Sequence, residues 1–444
     1  MDSAREAALK GLRAVHQDGA YANVAMAQIL RREKLSDADR RLATELVYGV
    51  VKAGDTMDWM VSRYVTRPLE KISPVILEIL RLGFYQLFFL DKIPAAAACN
   101  EAVNLAKKYG HRGTAGFVNA VLRTAIREPE RVKFPEGKGQ ETKHLALAAQ
   151  HPEWLVRQWV KTFGWKETRA LCAFNNEPAV LSLRTNTLKI QREDLLERLR
   201  TAHAEAEPSL WAPEGILCRA HGAMDDMAAL REGFFQVQDE SSMQVAHVVA
   251  PLPGEFIIDA CSAPGGKATH LAALMKNQGR IVAADIYPAK LARVKENAAR
   301  LGINIIETLC CDAREIGVRY AGQADRLLLD VPCSGLGVLR RRADARWRRT
   351  QQEMAALPAL QQAILSGAVP AVKTGGILVY STCTIRVQEN EAVVMAFLDE
   401  HPEFSLEMTG HFLPLQKREE AMVQFYPQRD KIDGFFIARL RKTG

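Results

Sequence analysis

The chain has 444 residues, 48% apolar and 25% charged, with a formal net charge of +7. That length exceeds one ordinary core and predicts two or three domains. No run of eighteen apolar residues occurs, and the start Met1–Glu6 has no basic stretch followed by an apolar one, so neither a membrane helix nor export is expected. The eight cysteines include no Cys-x-x-Cys pair, which argues against a zinc site and predicts free thiols in a reducing cytoplasm. The mild basic excess permits a polyanionic partner without requiring one.

Residues 1–130 read as a helical domain. Ala8, Leu9, Leu12 and Val15 recur at helical spacing, as do Ile76, Ile79, Leu80 and Leu87 with Gly83 on the same face. Ser36-Asp37-Ala38-Asp39 is a capping start ahead of Leu42, Leu46, Val47 and Val50, and Pro74 and Pro94 suit first-turn positions. Residues 131–150, with Pro135, Gly137 and Gly139 among charges, read as a linker. Residues 151–245 mix a helix starting near His151 with strands at 180–186 and 234–239, and predict a small α+β domain.

From 246 to 444 strands and helices alternate. Strands are expected at Phe256–Asp259, Arg280–Asp285, Asn304–Leu309, Ala324–Asp330 and Gly375–Tyr380, and helices at Lys267–Met275, Pro288–Leu301 and Gln351–Val372. Near-continuous apolar strands alternating with helices predict a largely parallel, Rossmann-like sheet. Gly434–Leu440 reads as a last strand, of antiparallel sense.

The chemistry concentrates at strand ends. Cys261-Ser262-Ala263-Pro264-Gly265-Gly266-Lys267 forms a tight turn between the strand ending in Asp259 and a helix, where backbone N–H groups can hold a polar ligand. Asp285, 26 residues after Asp259, is placed to accept ribose hydroxyls; Asp312 could receive an adenine amino group, and Asp330 ends the fourth strand. The spacing lacks the three glycines of a pyrophosphate turn, which favours S-adenosylmethionine over NAD or FAD. Each acid by itself is an ordinary cap or turn residue.

Two thiols follow strands, in Pro332-Cys333-Ser334-Gly335 and Ser381-Thr382-Cys383-Thr384. A buried cysteine is ordinarily a small hydrophobe, but both of these stand in turns. A thiolate added to C6 of cytosine makes C5 nucleophilic enough to take a methyl group, and cysteine is also a workable leaving group. Asp330 is placed to hold N3 protonated as charge develops. Cys310 and Cys311 end an apolar strand and read as structural.

With these motifs quoted, segment 233–440 resembles the RNA cytosine-5 methyltransferase family, which carries both Pro-Cys and Thr-Cys; DNA cytosine methyltransferases lack the second. The resemblance implies Cys383 as nucleophile, Cys333 as the residue assisting release, and Cys261–Lys267, Asp285, Asp312 and Asp330 around S-adenosylmethionine. Asn100–Tyr109 and Gly116–Arg123 resemble the helical NusB-type RNA-binding domain. That fusion is similar to bacterial enzymes that methylate 16S ribosomal RNA, and implies a cytoplasmic monomer acting on small-subunit RNA. A transfer-RNA enzyme and a non-catalytic RNA-binding, antitermination-like factor are the alternatives. Six arginines and one aspartate in Arg340–Arg349, near Cys333, are expected to meet RNA through Arg340, Arg341, Arg342, Arg346 and a stacking Trp347.

Overall fold

The computed structural model describes residues 3–202, 205–219 and 228–444; Met1 and Asp2, read above for an export signal, lie outside them. The chain divides into two units: residues up to Asn176 joined by Arg341–Arg348, and Glu177–Arg340 joined by Arg349–Gly444.

The first unit is helical. Its helices run Ser3–His16, Ala22–Arg32, Asp37–Ala53, Asp55–Ser62, Pro74–Phe89, Ala95–Tyr109 and Arg112–Arg127. Leu9, Leu12, Leu46, Val47, Ile76, Ile79, Leu80 and Phe84 share one core, each large apolar side chain worth roughly 1.5–3 kcal/mol on burial. The Ser36 hydroxyl accepts from the Asp39 N–H at 3.2 Å and caps its helix. The expected linker at 131–150 is instead part of this unit. A helix at Glu141–Ala148 follows the Gly-Pro stretch, Phe134 packs on Trp59 at 5.4 Å, and the Thr56 hydroxyl donates to the Leu147 carbonyl. Pro135, Gly137 and Gly139 break the chain only locally. Glu153–Asn176, broken at Gly164, where φ is +75°, is grouped with this unit by its contacts, and the strands of the middle module follow it.

The middle module is built on a four-stranded antiparallel sheet. Strands β1 (Leu181–Thr185), β2 (Ala206–Pro208), β3 (Gly215–Cys218) and β4 (Phe235–Val237) lie in the order β2-β3-β1-β4. Leu195 and Leu199 of the helix Arg192–Thr201 pack with Leu183, Ile216 and Phe235. β2 and β3 are three and four residues long, too short for alternation to announce them.

The larger sheet contains β5 (Phe256–Asp259), β6 (Arg280–Asp285), β7 (Ile306–Cys310), β8 (Ala324–Asp330), β9 (Val372–Thr382), β10 (Phe404–Leu406), β11 (Met422–Phe425) and β12 (Phe435–Lys442). The order is β10-β12-β9-β8-β5-β6-β7, with β11 on β12. β5 to β9 pair in parallel, and β12 runs antiparallel to β9. Connections reverse direction at β5, so the carboxyl ends of β5 and β8 flank the crevice where such sheets bind ligands.

The Arg340–Arg349 run is divided by this architecture. After Arg340 the chain enters the helical unit and returns at Arg349. Arg346 is fully buried and donates to the Gln150 carbonyl at 2.9 Å, the Asn176 side-chain oxygen at 3.0 Å and the Asn175 carbonyl at 3.1 Å. The Trp347 indole N–H donates to the Lys52 carbonyl at 3.0 Å. The ring lies over Gly54, where an added Cβ would come within 2.2 Å of it at a φ of +44°. Arg346 and Trp347 are thus anchors in the helical unit, and the expectation that Arg346 meets RNA is corrected: its guanidinium is fully buried and two of its nitrogens donate within that unit. Arg346→Met should fill the volume yet strand those acceptors, lowering unfolding free energy by about 2–4 kcal/mol; urea denaturation measures it, and an unchanged midpoint would contradict the anchor role.

Candidate active site

The parallel pairing of β8 and β9 sets Asp330 beside Ser381. Two short turns later their loops present Cys333 and Cys383 with sulfurs 3.4 Å apart. The loops are clamped from below by Glu389, which has no exposed surface. Its carboxylate accepts from the Ser334 N–H at 2.8 Å, Gln361 Nε2 at 3.2 Å and Arg386 Nη1 at 2.9 Å. Ser334 and Thr384 hydroxyls meet at 2.7 Å, Asn390 donates to the Thr384 carbonyl, and the Gly337 N–H donates to the Cys383 carbonyl. Arg349 donates to the Cys333 carbonyl at 3.3 Å. Of these supports, Glu389, Asn390 and Gln361 carried no motif; a Glu-Asn pair before an apolar helix reads as an ordinary cap.

The two sulfurs are unequal. Cys333 is buried and Cys383 partly open. The hydrogen bond to Cys383, reinforced by burial and by Glu389 and Asp330, holds the Cys333 thiol well above its ordinary pKa. Either sulfur can be the donor in their contact, and the raised pKa favours the protonated form of Cys333.

Asp330 accepts from Lys267 Nζ at 2.7 Å on one oxygen and from the Ser381 hydroxyl at 2.9 Å on the other. Burial works against the Lys267 charge, but Asp330 outweighs it and raises the ammonium above its usual range. Lys267 also lies 5.0 Å from the Phe435 ring centroid.

The turn before Lys267 is stitched in place. The Ser262 N–H donates to the Ala284 carbonyl and the Gly265 N–H to the Ser262 carbonyl, both at 2.8 Å; the Ala263–Pro264 peptide is cis. Gly265 has a φ of +95°, and a Cβ there would lie 3.0 Å from Val294, so glycine suits both backbone and space. Gly266, one residue on, has open space, its nearest neighbour 3.9 Å from an added Cβ. Beneath the turn Asp259 is fully buried, with neither oxygen in a well-formed hydrogen bond. Burial, opposed by Ser262, pushes its carboxyl up to about 7. Cys261 lies among the acids: burial first, then Asp259, Asp330, Asp285 and Asp312, raise its thiol.

Asp285 accepts the Tyr287 N–H on one oxygen, and exposed Ile286 and Tyr287 follow it. Asp312 differs from expectation. It caps the short helix after β7 and pairs with Arg314 at 2.6 Å, which lowers its pKa; its carboxylate is already engaged. Cys311 is buried as expected, whereas Cys310 is exposed. In the arginine run, Arg340 pairs with Asp433 at 3.4 Å, Arg341 is half-buried and Arg342 exposed.

Glu214, His247 and His270 bring ligand-type atoms within 4.8 Å of one another. Buried Arg184 shares this region, and Glu214 supports its positive charge. We read the cluster as internal charge compensation rather than a metal centre.

A protein-family model described as 16S rRNA methyltransferase RsmB/F matches residues 246–441. NusB-family and RsmF/B-like ferredoxin-like models match 2–127 and 151–225. The probable ribosomal RNA small subunit methyltransferase B of Synechocystis sp. is 40% identical over 451 residues, covering all of both chains.

The chain belongs to the RsmB/F family of ribosomal RNA methyltransferases.

The Bacillus subtilis member, likewise named as a probable small subunit methyltransferase B, is 38% identical across 100% of this chain and 99% of its own. The crystal structure of PH0851 superposes with a TM-score of 0.86 at 27% identity, covering 100% of this chain and 99% of that one. NSun6 from Pyrococcus horikoshii with SFG gives 0.60 at 26% identity, covering 66% of this chain and 98% of that one. Among the described residues no helix is long and apolar enough to cross a membrane. For this family member, alkylation should separate the thiols. Iodoacetamide should modify Cys383 first, and Cys333 only as pH rises well above 9, because a raised pKa keeps it protonated below that. Peptide mass spectrometry across pH reads the order, and faster labelling of Cys333 at pH 7 would contradict it.

Proposed function

We propose that this chain methylates C5 of a cytosine in 16S ribosomal RNA, using S-adenosylmethionine and a covalent bond from Cys383 to C6. The observation that carries the reading is the pair of sulfurs 3.4 Å apart at adjacent parallel strand ends, one partly open and one buried. A single thiol serves attack; a second beside it serves departure, and burial and its neighbours favour the protonated form there. Small-subunit ribosomal RNA is preferred to transfer RNA because full-length relatives at 38–40% identity carry that name.

The residues fit S-adenosylmethionine. Acids converge around Cys261, which suits a ligand bearing sulfonium and ammonium charges. The turn at Gly265 and Gly266 leaves backbone room, and Asp259 sits unsatisfied beneath it. Asp285 retains a free oxygen for ribose hydroxyls, and exposed Ile286 offers an apolar face for adenine. Cys261–Lys267 would contact the ligand. Asp312 would serve the adenine only by releasing Arg314. SFG, the ligand crystallised with P. horikoshii NSun6, is an S-adenosylmethionine analogue and supports the choice. When bound, this cofactor supplies an electrophilic methyl group.

The chain's own work is then as follows. The Cys383 thiolate adds to C6 of a cytosine lifted from its stack. Asp330, held by Lys267 and Ser381, accepts a hydrogen bond from protonated N3 while the ring carries developing charge. C5 takes the methyl group and then loses its proton to a base. The C6–S bond breaks, restoring the C5–C6 double bond, and Cys333 assists by hydrogen-bonding the departing sulfur. Arg342, exposed beside the half-buried Arg341, is kept as a phosphate contact.

Cys333→Ala should add to RNA and transfer the methyl group, then stall as protein joined to RNA. Cys383→Ala should form no adduct, and the double variant should match it. Denaturing electrophoresis with labelled RNA reads this; an adduct in Cys383→Ala alone would reverse the roles. Asp285→Ala should weaken S-adenosylmethionine binding by roughly 1.5–3 kcal/mol per lost charged hydrogen bond. Calorimetry on the folded variant measures it, and unchanged affinity would remove the ribose assignment.

A further inference from the structure

The helical unit contains a cavity of about 520 Å3, within the size range of small-molecule sites. Five carboxylates line it: Asp55, Asp58, Glu70, Glu78 and Asp344. Only two guanidiniums, Arg81 and Arg348, stand against them, which leaves an excess of three negative charges with His16 neutral. Both cations are already committed. Arg81 binds Asp58 at 2.6 and 2.7 Å and Glu78 at 2.5 Å, and Arg348 donates to the Gly19 and Ala20 carbonyls.

Two further observations favour a cationic occupant. Glu78 is 2% exposed; its Oε1 takes both Arg81 and His16, while its buried Oε2 has no hydrogen-bond partner. Asp55, exposed in the cavity lining, makes no ion pair, and partial desolvation with the like charge of Asp58 raises its pKa against the pull of Arg81. Apart from Gln17, the rest of the lining is apolar, including Val50 and Leu77, with the Trp347 indole beside it. A bare divalent ion would want oxygens and water on every side. Carboxylates at one place with aliphatic and indole surface around them match a charged head on a carbon chain.

We propose that this cavity binds an organic cation, an alkylammonium or guanidinium group whose head meets Glu78 and Asp55 and whose chain lies along the apolar wall and Trp347. The cation is either a free amine or the side chain of another polypeptide. Nothing in this inference depends on the methyl-transfer reading.

Calorimetry on the full-length protein tests it with agmatine, 1,5-diaminopentane, an acetylated and amidated Gly-Arg-Gly tripeptide, neutral 1,5-pentanediol and magnesium chloride. At least one organic cation should bind, more weakly as salt rises, with pentanediol silent. Asp55→Asn and Glu78→Gln should each weaken binding at least about tenfold, the loss of one charged contact. Glu78→Gln risks misfolding because Arg81 depends on it; Asp55→Asn removes a carboxylate with no ion pair and keeps the test decisive. A change in tryptophan emission on binding should vanish in Trp347→Phe. Tighter binding of the free amines assigns a free ligand, and tighter binding of the tripeptide a side chain. The proposal is overturned by silence with every organic cation, by equal binding of pentanediol, by binding of magnesium alone, or by unchanged affinity in Asp55→Asn.

Discussion

Everything proposed for the catalytic half depends on β8 and β9 lying side by side in parallel with Asp330 opposite Ser381. Neighbouring strands stand about 4.8 Å apart, so loops leaving the same end of two such strands must share a small volume. Cys333 comes three residues after Asp330 and Cys383 two after Ser381, which leaves little freedom in where the sulfurs lie. Glu389 removes most of what remains. A fully buried carboxylate is costly unless it is surrounded by donors, and here the donors are the thiol loop itself, Gln361 and Arg386. The same bonds that satisfy Glu389 therefore hold the Cys333 loop in position.

Buried charge is used a second time to join the small sheet to the glycine turn before Lys267. Arg184 on β1 reaches the Gly266 carbonyl at 2.5 Å and the Thr269 hydroxyl at 3.0 Å, and also donates to Gln238. Burial lowers its pKa to about 9, with Glu214 opposing the fall. The first helical turn after Gly265 is thus gripped from the middle module. The middle module helps to fix the shape of the turn at Gly265 and Gly266.

The arginine run shows how a sequence pattern can mislead about destination. Six arginines near a proposed nucleophile read naturally as a phosphate-binding patch. The fold sends the middle of the run into the helical unit, where Arg346 satisfies backbone carbonyls and Trp347 covers Gly54. Both stems of this excursion adjoin the thiol loops within the larger unit: Gly337 bonds the Cys383 carbonyl and Arg349 the Cys333 carbonyl. The segment therefore ties the chain around the active site to the helical unit by covalent continuity.

The sequence by itself determined the class of each half, the strand ends and the cysteines and acids that sit on them, because periodicity, turn chemistry and strand-end motifs are local. Leu9, Ile76 and Leu80 are buried where helical spacing put them, and β5, β6 and β8 have the expected bounds. Tertiary structure alone decided the rest. The 3.4 Å approach of the two sulfurs joins residues fifty positions apart. Asp312 turned to Arg314, Arg346 became an anchor, and residues 131–150 folded into the helical unit. A charged side chain's role depends on which partners reach it and how much water is left, and neither quantity is local to the chain.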